Sequence, residues 1–395
     1  MKKFRKVLAA LMAVALIATC FAACGEKEPA PDGGDTGNTA GTFKIGVIGP
    51  LTGGAAVYGI AVKNGAQLAV DEINANGGIC GMTVELQAQD DEHNAEKSVN
   101  AYNKLKDWGM QALVGTVTSN PCIAVQAEAE KDNMFLLTPS GSAVDCIKSP
   151  TAFRVCFSDP NQGSASATYI AEKKLATKIA IFFNSSDAYS TGIKETFEAT
   201  AAQKGLEIVT SQSFTEDNKS DFSAQIAALK SSGAELVFAP IYAEPAALLV
   251  QQSKTAGMTT PIFGCDGIDG ILNIENFDPA LAEGVMLLSP YSQYSEDAAS
   301  VKFTQAYTAK FPVDSLNQFA ADAYDAVYII KAAAEKAQLK SGMSASDVCN
   351  ALKTAMTEIT FDGVTGAGVT WSADGEPTKL PNAFVIKDGK YQDIN

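Results

Sequence analysis

Several short polar turns in this chain hold the residue types that bind or transform small molecules. "GTVTSN" (115–120) follows an apolar run and precedes a helical pattern, "IAVQAEAEKDN". A hydroxyl at such a strand-turn-helix junction could be a nucleophile, part of a phosphate loop, or a group that holds an anion at a helix N-terminus. Ser119 is the candidate there. Other turns follow apolar runs in the same way: "TPSGS" with Ser140, Gly141 and Ser142, "NSSDAYSTG" with Tyr189, "PIYAEP" with Tyr242, and "GCDGIDG" with Asp266. Together they offer hydroxyls, backbone N–H groups, tyrosines and an acid, but no good base.

Catalytic readings find little support. A phosphate loop needs GxxxxGK[ST], which is missing. A nucleophile elbow needs GxSxG, and "GSASA" (163–167) does not fit it. His93 is the single histidine, so a Ser-His-Asp triad or a histidine metal site has one possible member. It lies in "DDEHNAEKS", which reads as a surface loop entering a helix, with Asp90 and Asp91 as a solvated pair. Cys80, Cys122, Cys146, Cys156, Cys265 and Cys349 show neither CxxC nor metal spacing. Neither a catalytic function nor a metal or cofactor is expected. A formal net charge of −15 argues against nucleic acid or an anionic membrane face as the partner.

What positions the turns is an alternation of strands and helices. "FKIGVIGP" and "MTVELQAQD" read as strands around the helix "GAAVYGIAVKNGAQLAVDEIN", and the rhythm continues to "MFLLTPSGS". It restarts after 153–157 with "NQGSASATYIAEKKLA" and "KIAIFFN" and runs on to "TPIFGCDG". Apolar strands alternating with helices imply parallel sheets covered on both faces. Two such runs in 395 residues imply two doubly wound α/β lobes. In such sheets ligands bind beyond the C-terminal ends of the strands, which is where the polar turns lie.

The first residues read as a targeting segment. "MKKFRK" is a basic start, Val7–Thr19 is apolar, and "FAAC" ends at Cys24. That is a secretory signal peptide, too short to be a confident membrane span. Small residues before a cysteine look like a bacterial lipobox, with Phe21 a departure from the usual Leu, so Cys24 is the expected lipid attachment point. Residues 24–42 are rich in Gly, Pro and Asp and read as a flexible tether. The body is therefore expected outside the cytoplasm, held to the outer face of the cell membrane by its lipid alone.

"IGVIGPLTGGAAVYGIAVKNGAQLAVDEINANGGICGMTVELQAQDDEHNAEKSVNAYNKL" resembles the opening of the leucine/isoleucine/valine-binding proteins, the type I solute-binding proteins of ABC importers. The resemblance continues through "TPSGS", "FSDPNQG", "DAYSTG", "FAPIYAEPAALLVQQSKTAGM" and "GVTWSADGEP" and covers nearly all of 43–390. It implies a periplasmic binding protein type I clamp whose lobes are joined by three crossovers. One lobe would hold 43–158 with 289–366, the other 159–288 with 367–395, after a signal peptide of 1–23. A monomer is expected to bind an amino acid between its lobes and present it to a permease.

The resemblance also implies roles. Ser119 stands where the family's carboxylate-binding serine stands, and the turn from Ser140 through Gly141 to Ser142 matches one that serves both charged groups of the ligand. Asp266 matches the acidic residue that meets the ammonium, where Glu is usual. Tyr189 and Tyr242 match tyrosines that close over the ligand, and Tyr58 an aromatic that shapes the side-chain pocket. Phe319 is a further pocket candidate, although "NQFAADAYDAVYII" would be a packed helix in any case. The expected ligand is Leu, Ile or Val, with mixed specificity, because one methylene is worth only about 1–3 kcal/mol. The alternatives are an aromatic acid, a short amide or urea, or a ligand sensor built on the same clamp. Some family members carry a disulfide between the "DD" loop and the "GTVTSN" turn. Those neighbourhoods hold His93 and Thr118 here, so that disulfide is expected to be absent, and a Cys80–Cys122 bridge would be a different crosslink.

Overall fold

The structure, a computed structural model, describes residues 41–394. The expected signal peptide, Cys24 and nearly all of the tether lie outside the described residues. Among the described residues, no helix is long and apolar enough to cross a membrane.

The first lobe is built on β1 (Thr42–Gly49), α1 (Ala56–Ala75), β2 (Thr83–Asp90), α2 (Ala95–Trp108), β3 (Ala112–Gly115), α3 (Ser119–Lys131), β4 (Phe135–Thr138) and β5 (Ala152–Arg154). The chain then forms α4 (Asp159–Glu172), β6 (Lys178–Asn184), α5 (Ala188–Lys204), β7 (Glu207–Phe214), α6 (Ser223–Ser231), β8 (Leu236–Ala239), α7 (Ala243–Thr255), β9 (Ile262–Gly264) and β10 (Met286–Ser289). It continues through α8 (Ala298–Thr308), α9 (Gln318–Ala337) and α10 (Ala345–Met356) to β11 (Asn382–Lys387) and β12 (Lys390–Asp393).

Five strands form one sheet in the order β2-β1-β3-β4-β5, all parallel. Alternation along the strands puts apolar residues on both faces. Ala112 and Val114 belong to the same core as Ala61 and Val62 of α1 and Ala326 of α9, whereas Leu113 faces Leu105 of α2 and Val125 of α3. The second sheet runs β12-β11-β10-β9-β8-β6-β7. Ile181 and Phe238 share a core with Ile193 and Phe197 of α5, while Phe182 and Val237 share the other core with Ile226 of α6 and Leu249 of α7. Both sheets are thus buried on both faces, as parallel sheets need to be.

The two-lobe α/β class follows the expectation from the sequence, with two differences. The second sheet is not wholly parallel: β11 pairs antiparallel to β10, and β12 to β11. Asp388 and Gly389 both have positive φ, 51° and 70°, which is the two-residue hairpin turn that matches strand twist. The third crossover also lies later than 366. Trp371 donates its indole N–H to the Arg154 carbonyl at 2.8 Å, and Arg154 N donates to Gly375 O at 3.2 Å. Lys379 Nζ is buried against Asp322 Oδ1 at 2.9 Å and Val155 O at 3.2 Å. These bonds keep the segment up to Lys379 with the first lobe, and the chain joins the second sheet only at Asn382.

Strand order reverses at β1/β3 in one sheet and at β6/β8 in the other. Such switch points open a crevice at the C-terminal ends of the strands. The two crevices face each other.

Candidate functional site

Six residues that the sequence singled out or mentioned meet between the lobes. Tyr58 comes from the first turn of α1, Ser140 from the turn after β4, and Phe319 from the first turn of α9. Across from them stand Tyr189 in the first turn of α5, Tyr242 just before α7, and Asp266 just after β9. With Val117, Thr118 and Gly267 they line a narrow, closely packed chamber. All sit on residues that follow strands or begin helices, so helix N-termini from both lobes converge on the chamber. Their partial positive charge favours an anion.

The aromatic walls are mutually packed. Tyr189 and Tyr242 stack with ring centroids 4.8 Å apart, Tyr58 meets Phe319 edge-on at 4.7 Å, and Tyr58 lies 5.6 Å from Tyr242. Tyr58 also ties the lobes together: its hydroxyl donates to Gly267 O at 2.6 Å and accepts from Ala243 N at 2.6 Å. Gln318 adds two bonds across the cleft, its N–H to Asp269 Oδ2 at 2.8 Å and its side-chain amide to Asp266 O at 2.9 Å. Asn120 bridges further out, accepting from Ala188 N at 3.2 Å and donating to Ser186 O at 3.4 Å.

Among the described residues, Asp266 is the one carboxyl group lining this chamber. It is 3% exposed. Its Oδ1 accepts from the Tyr189 hydroxyl at 2.8 Å, and its backbone N–H donates to Gln162 Oε1 at 3.1 Å. Burial pushes its carboxyl up to about 7, against the lowering effect of the Tyr189 and Gln162 hydrogen bonds. A carboxylate held this way by neutral groups invites a cation, because an unpaired charge in a buried site is costly. Gly267 is required next to it: a Cβ there would come within 2.6 Å of the Tyr189 hydroxyl.

Ser119, Gly141 and Ser142 stand behind the chamber wall. Ser119 opens α3, and its hydroxyl accepts from Ala143 N at 3.2 Å, while its backbone N–H reaches the Tyr242 hydroxyl. Gly141 N donates to Thr138 Oγ1 at 2.7 Å. The Ser142 carbonyl accepts from Arg154 and from Asp159 N, and its buried hydroxyl faces Asp159 without a hydrogen bond of good geometry. Ser140 Oγ, on the chamber side, donates to Val117 O at 2.7 Å.

Two residues that shape the site were not singled out from the sequence. Arg154, fully buried at the end of β5, donates to the carbonyls of Gly141, Ser142 and Ala143 and pairs with Glu376 at 3.4 Å. It fixes the "TPSGS" turn from behind. Asp159, the first residue of α4, is 1% exposed, and neither carboxylate oxygen has a hydrogen-bond partner. Burial raises its carboxyl well above the usual range; Ser142 and Arg154 oppose that rise, and Asp266 and Asp187 add to it. The acid is visible in "FSDPNQG", but its burial is not.

The "DDEHNAEKS" segment differs from the surface loop expected. Asp91 is fully buried, accepts from His93 N at 2.9 Å, and is pushed by burial to about 7. His93 Nδ1 bonds Thr118 Oγ1 at 2.8 Å, and its ring meets Tyr242 edge-on at 5.4 Å. The rest of the loop, from Glu92 through Asn94 to Lys97, stays largely exposed, so the departure is confined to Asp91 and the half-buried His93. The six body cysteines carry free thiols, with Cys80 exposed and the others buried. Among the described residues, no group of three or more His, Cys, Asp or Glu side chains is poised to hold a metal.

Two doubly wound lobes facing one another across an aromatic, partly charged cleft define a clamp of the solute-binding class. The chain belongs to the periplasmic binding protein family, whose description fits residues 42–390. The Leu/Ile/Val-binding protein BraC3 of Rhizobium johnstonii is 34% identical over 332 residues, 82% of this chain and 88% of that protein. The leucine-, isoleucine-, valine-, threonine- and alanine-binding protein of Pseudomonas aeruginosa is 29% identical over 75% of this chain and 79% of its own length. Among solved structures, the branched-chain amino acid transporter substrate-binding protein LivJ of Streptococcus pneumoniae, crystallised with isoleucine, superposes with a TM-score of 0.80 at 29% identity. That match covers 89% of this chain and 98% of LivJ.

Proposed function

We propose that this protein captures branched-chain amino acids in the interlobe cleft and delivers them to the permease of an ABC importer. The observation that carries this reading is the pairing of a buried carboxylate, Asp266, with converging helix N-termini in one aromatic chamber. An α-amino acid presents a cation and an anion one carbon apart, and the cleft offers a partner for each. The ammonium meets Asp266, with Asp159 as a second carboxylate behind it. The carboxylate sits between Thr118 and Ser140 at the N-terminus of α3, where the helix dipole favours an anion. Tyr58, Tyr242 and Phe319 cover the aliphatic side chain with apolar area at little entropy cost.

The family binds solutes for transport. Among the described residues the Ser119 hydroxyl meets Ala143 N and no basic side chain, which suits binding without chemistry. Lipid attachment at Cys24, a monomeric state and a position on the outer face of the membrane complete it. A ligand that bridges both lobes adds contacts that only the closed clamp can make, and so shifts the clamp toward closure.

Calorimetric titration with the twenty amino acids, benzoate and urea tests this. Saturable heats are expected with leucine, isoleucine and valine and not with benzoate or urea. Absence of binding by every aliphatic amino acid would contradict it.

A further inference from the structure

On the far side of Tyr242 lies a second interlobe cavity, roomier than the aromatic chamber, with a volume of about 220 Å³. Its walls include Ala55 and His93 from the first lobe and Asn184, Asp187, Glu216 and Lys219 from the second. Tyr242 is a wall of both this cavity and the aromatic chamber, and the Thr118–His93 hydrogen bond joins the two across the first lobe.

The charges around the cavity are paired, with one exception. Glu92 meets Lys97 at 2.5 Å. Glu216 and Glu244 share Lys219, at 2.5 and 3.1 Å, which leaves that trio with one net negative charge. Asp187 is the exception. It caps α5 through Oδ2, which accepts from Ser190 N at 3.1 Å, and it is 3% exposed. Its Oδ1 meets no donor. Burial, with the nearby Glu216 charge, pushes the carboxyl up to about 7. A buried acceptor with an unused oxygen, in a cavity of negative sign walled by a tyrosine face, suits a cation.

We propose that this cavity is a subsite for the far end of the ligand, where Asp187 accepts from a cationic side-chain group, so that the cleft takes basic α-amino acids such as ornithine and lysine as well as aliphatic ones. This rests on the reading of the aromatic chamber as the site of the α-amino and α-carboxyl groups. The methylene stem of a basic residue passes Tyr242, and its ammonium takes the free oxygen of Asp187 without disturbing the helix cap. A branched aliphatic side chain stops short of it.

Titrating the protein with leucine, ornithine and lysine, in the wild type and in Asp187→Asn, tests the subsite. Asn keeps an oxygen for the cap, and leucine binding reports whether the variant is folded. Ornithine and lysine are expected to bind the wild type, and the ratio of their association constants to that of leucine to fall at least tenfold in the variant. Leucine binding without either basic amino acid would overturn the subsite, as would an unchanged ratio in Asp187→Asn. Binding by none of the three would overturn the amino-acid reading itself, and the subsite with it.

Discussion

At the residue scale, the proposed charge recognition rests on Asp266. Removing one partner of a buried ion pair costs about 3–5 kcal/mol, because the other charge is left unpaired. Asp266→Ala is therefore expected to weaken leucine binding roughly a hundredfold or more by calorimetry; a change under threefold would show that the ammonium sits elsewhere. Tyr189→Phe removes the donor to Asp266 and the acceptor of Gly267 N, two bonds of 2.8 and 2.9 Å, while keeping the ring. A smaller loss, about 1–3 kcal/mol, is expected in the same titration. Asp266, Tyr189 and Tyr242 were legible in the sequence because each follows an apolar strand at the face where such sheets bind ligands. Asp159, Arg154 and Asp91 were not. Composition marks an acid in a polar run as solvated, and only tertiary packing buries it.

Elements position these side chains by close approach. α4 and α5 pack tightly at Gly163: a Cβ there would lie 2.5 Å from Ile193 O and 2.7 Å from Phe197 N. Gly163→Ala should push the helices apart and lower unfolding stability by about 1–3 kcal/mol, read as a lower denaturant midpoint. An unchanged midpoint would mean that the α4–α5 contact is softer than its geometry implies. Strand-helix alternation was plain from apolar runs and their punctuation. The third crossover was not, because what holds 367–379 to the first lobe is the Trp371 indole bond and the buried Lys379–Asp322 pair. Neither follows from local pattern. The "KDGK" hairpin, by contrast, shows its turn chemistry in its residues, and only its antiparallel pairing to β10 needed the structure.

For the whole molecule, several carboxylates lie buried where the two lobes meet. Asp266 and Asp187 are pushed to about 7, and Asp159 is raised too, against about 3.9 for an exposed Asp. Acids whose pKa rises on burial favour the buried arrangement while they hold their protons. Their contribution is fully present below about pH 4 and is lost as pH rises through about 7. In buffer without amino acid, the radius of gyration from small-angle scattering should therefore be larger at pH 8 than at pH 5. Saturating leucine should reduce that difference, since its ammonium replaces the proton at Asp266. A radius independent of pH would show that these acids do not couple to closure.

The pairing of Asp266 with an α-ammonium group is tested most directly by titrating the wild-type protein with leucine beside 4-methylpentanoate, the same molecule without its amino group. Leucine is predicted to saturate one site, and the deaminated acid to bind at least roughly a hundredfold more weakly. Equal affinity for the two would contradict the pairing of Asp266 with an ammonium, and with it the assignment of this cleft to amino acids.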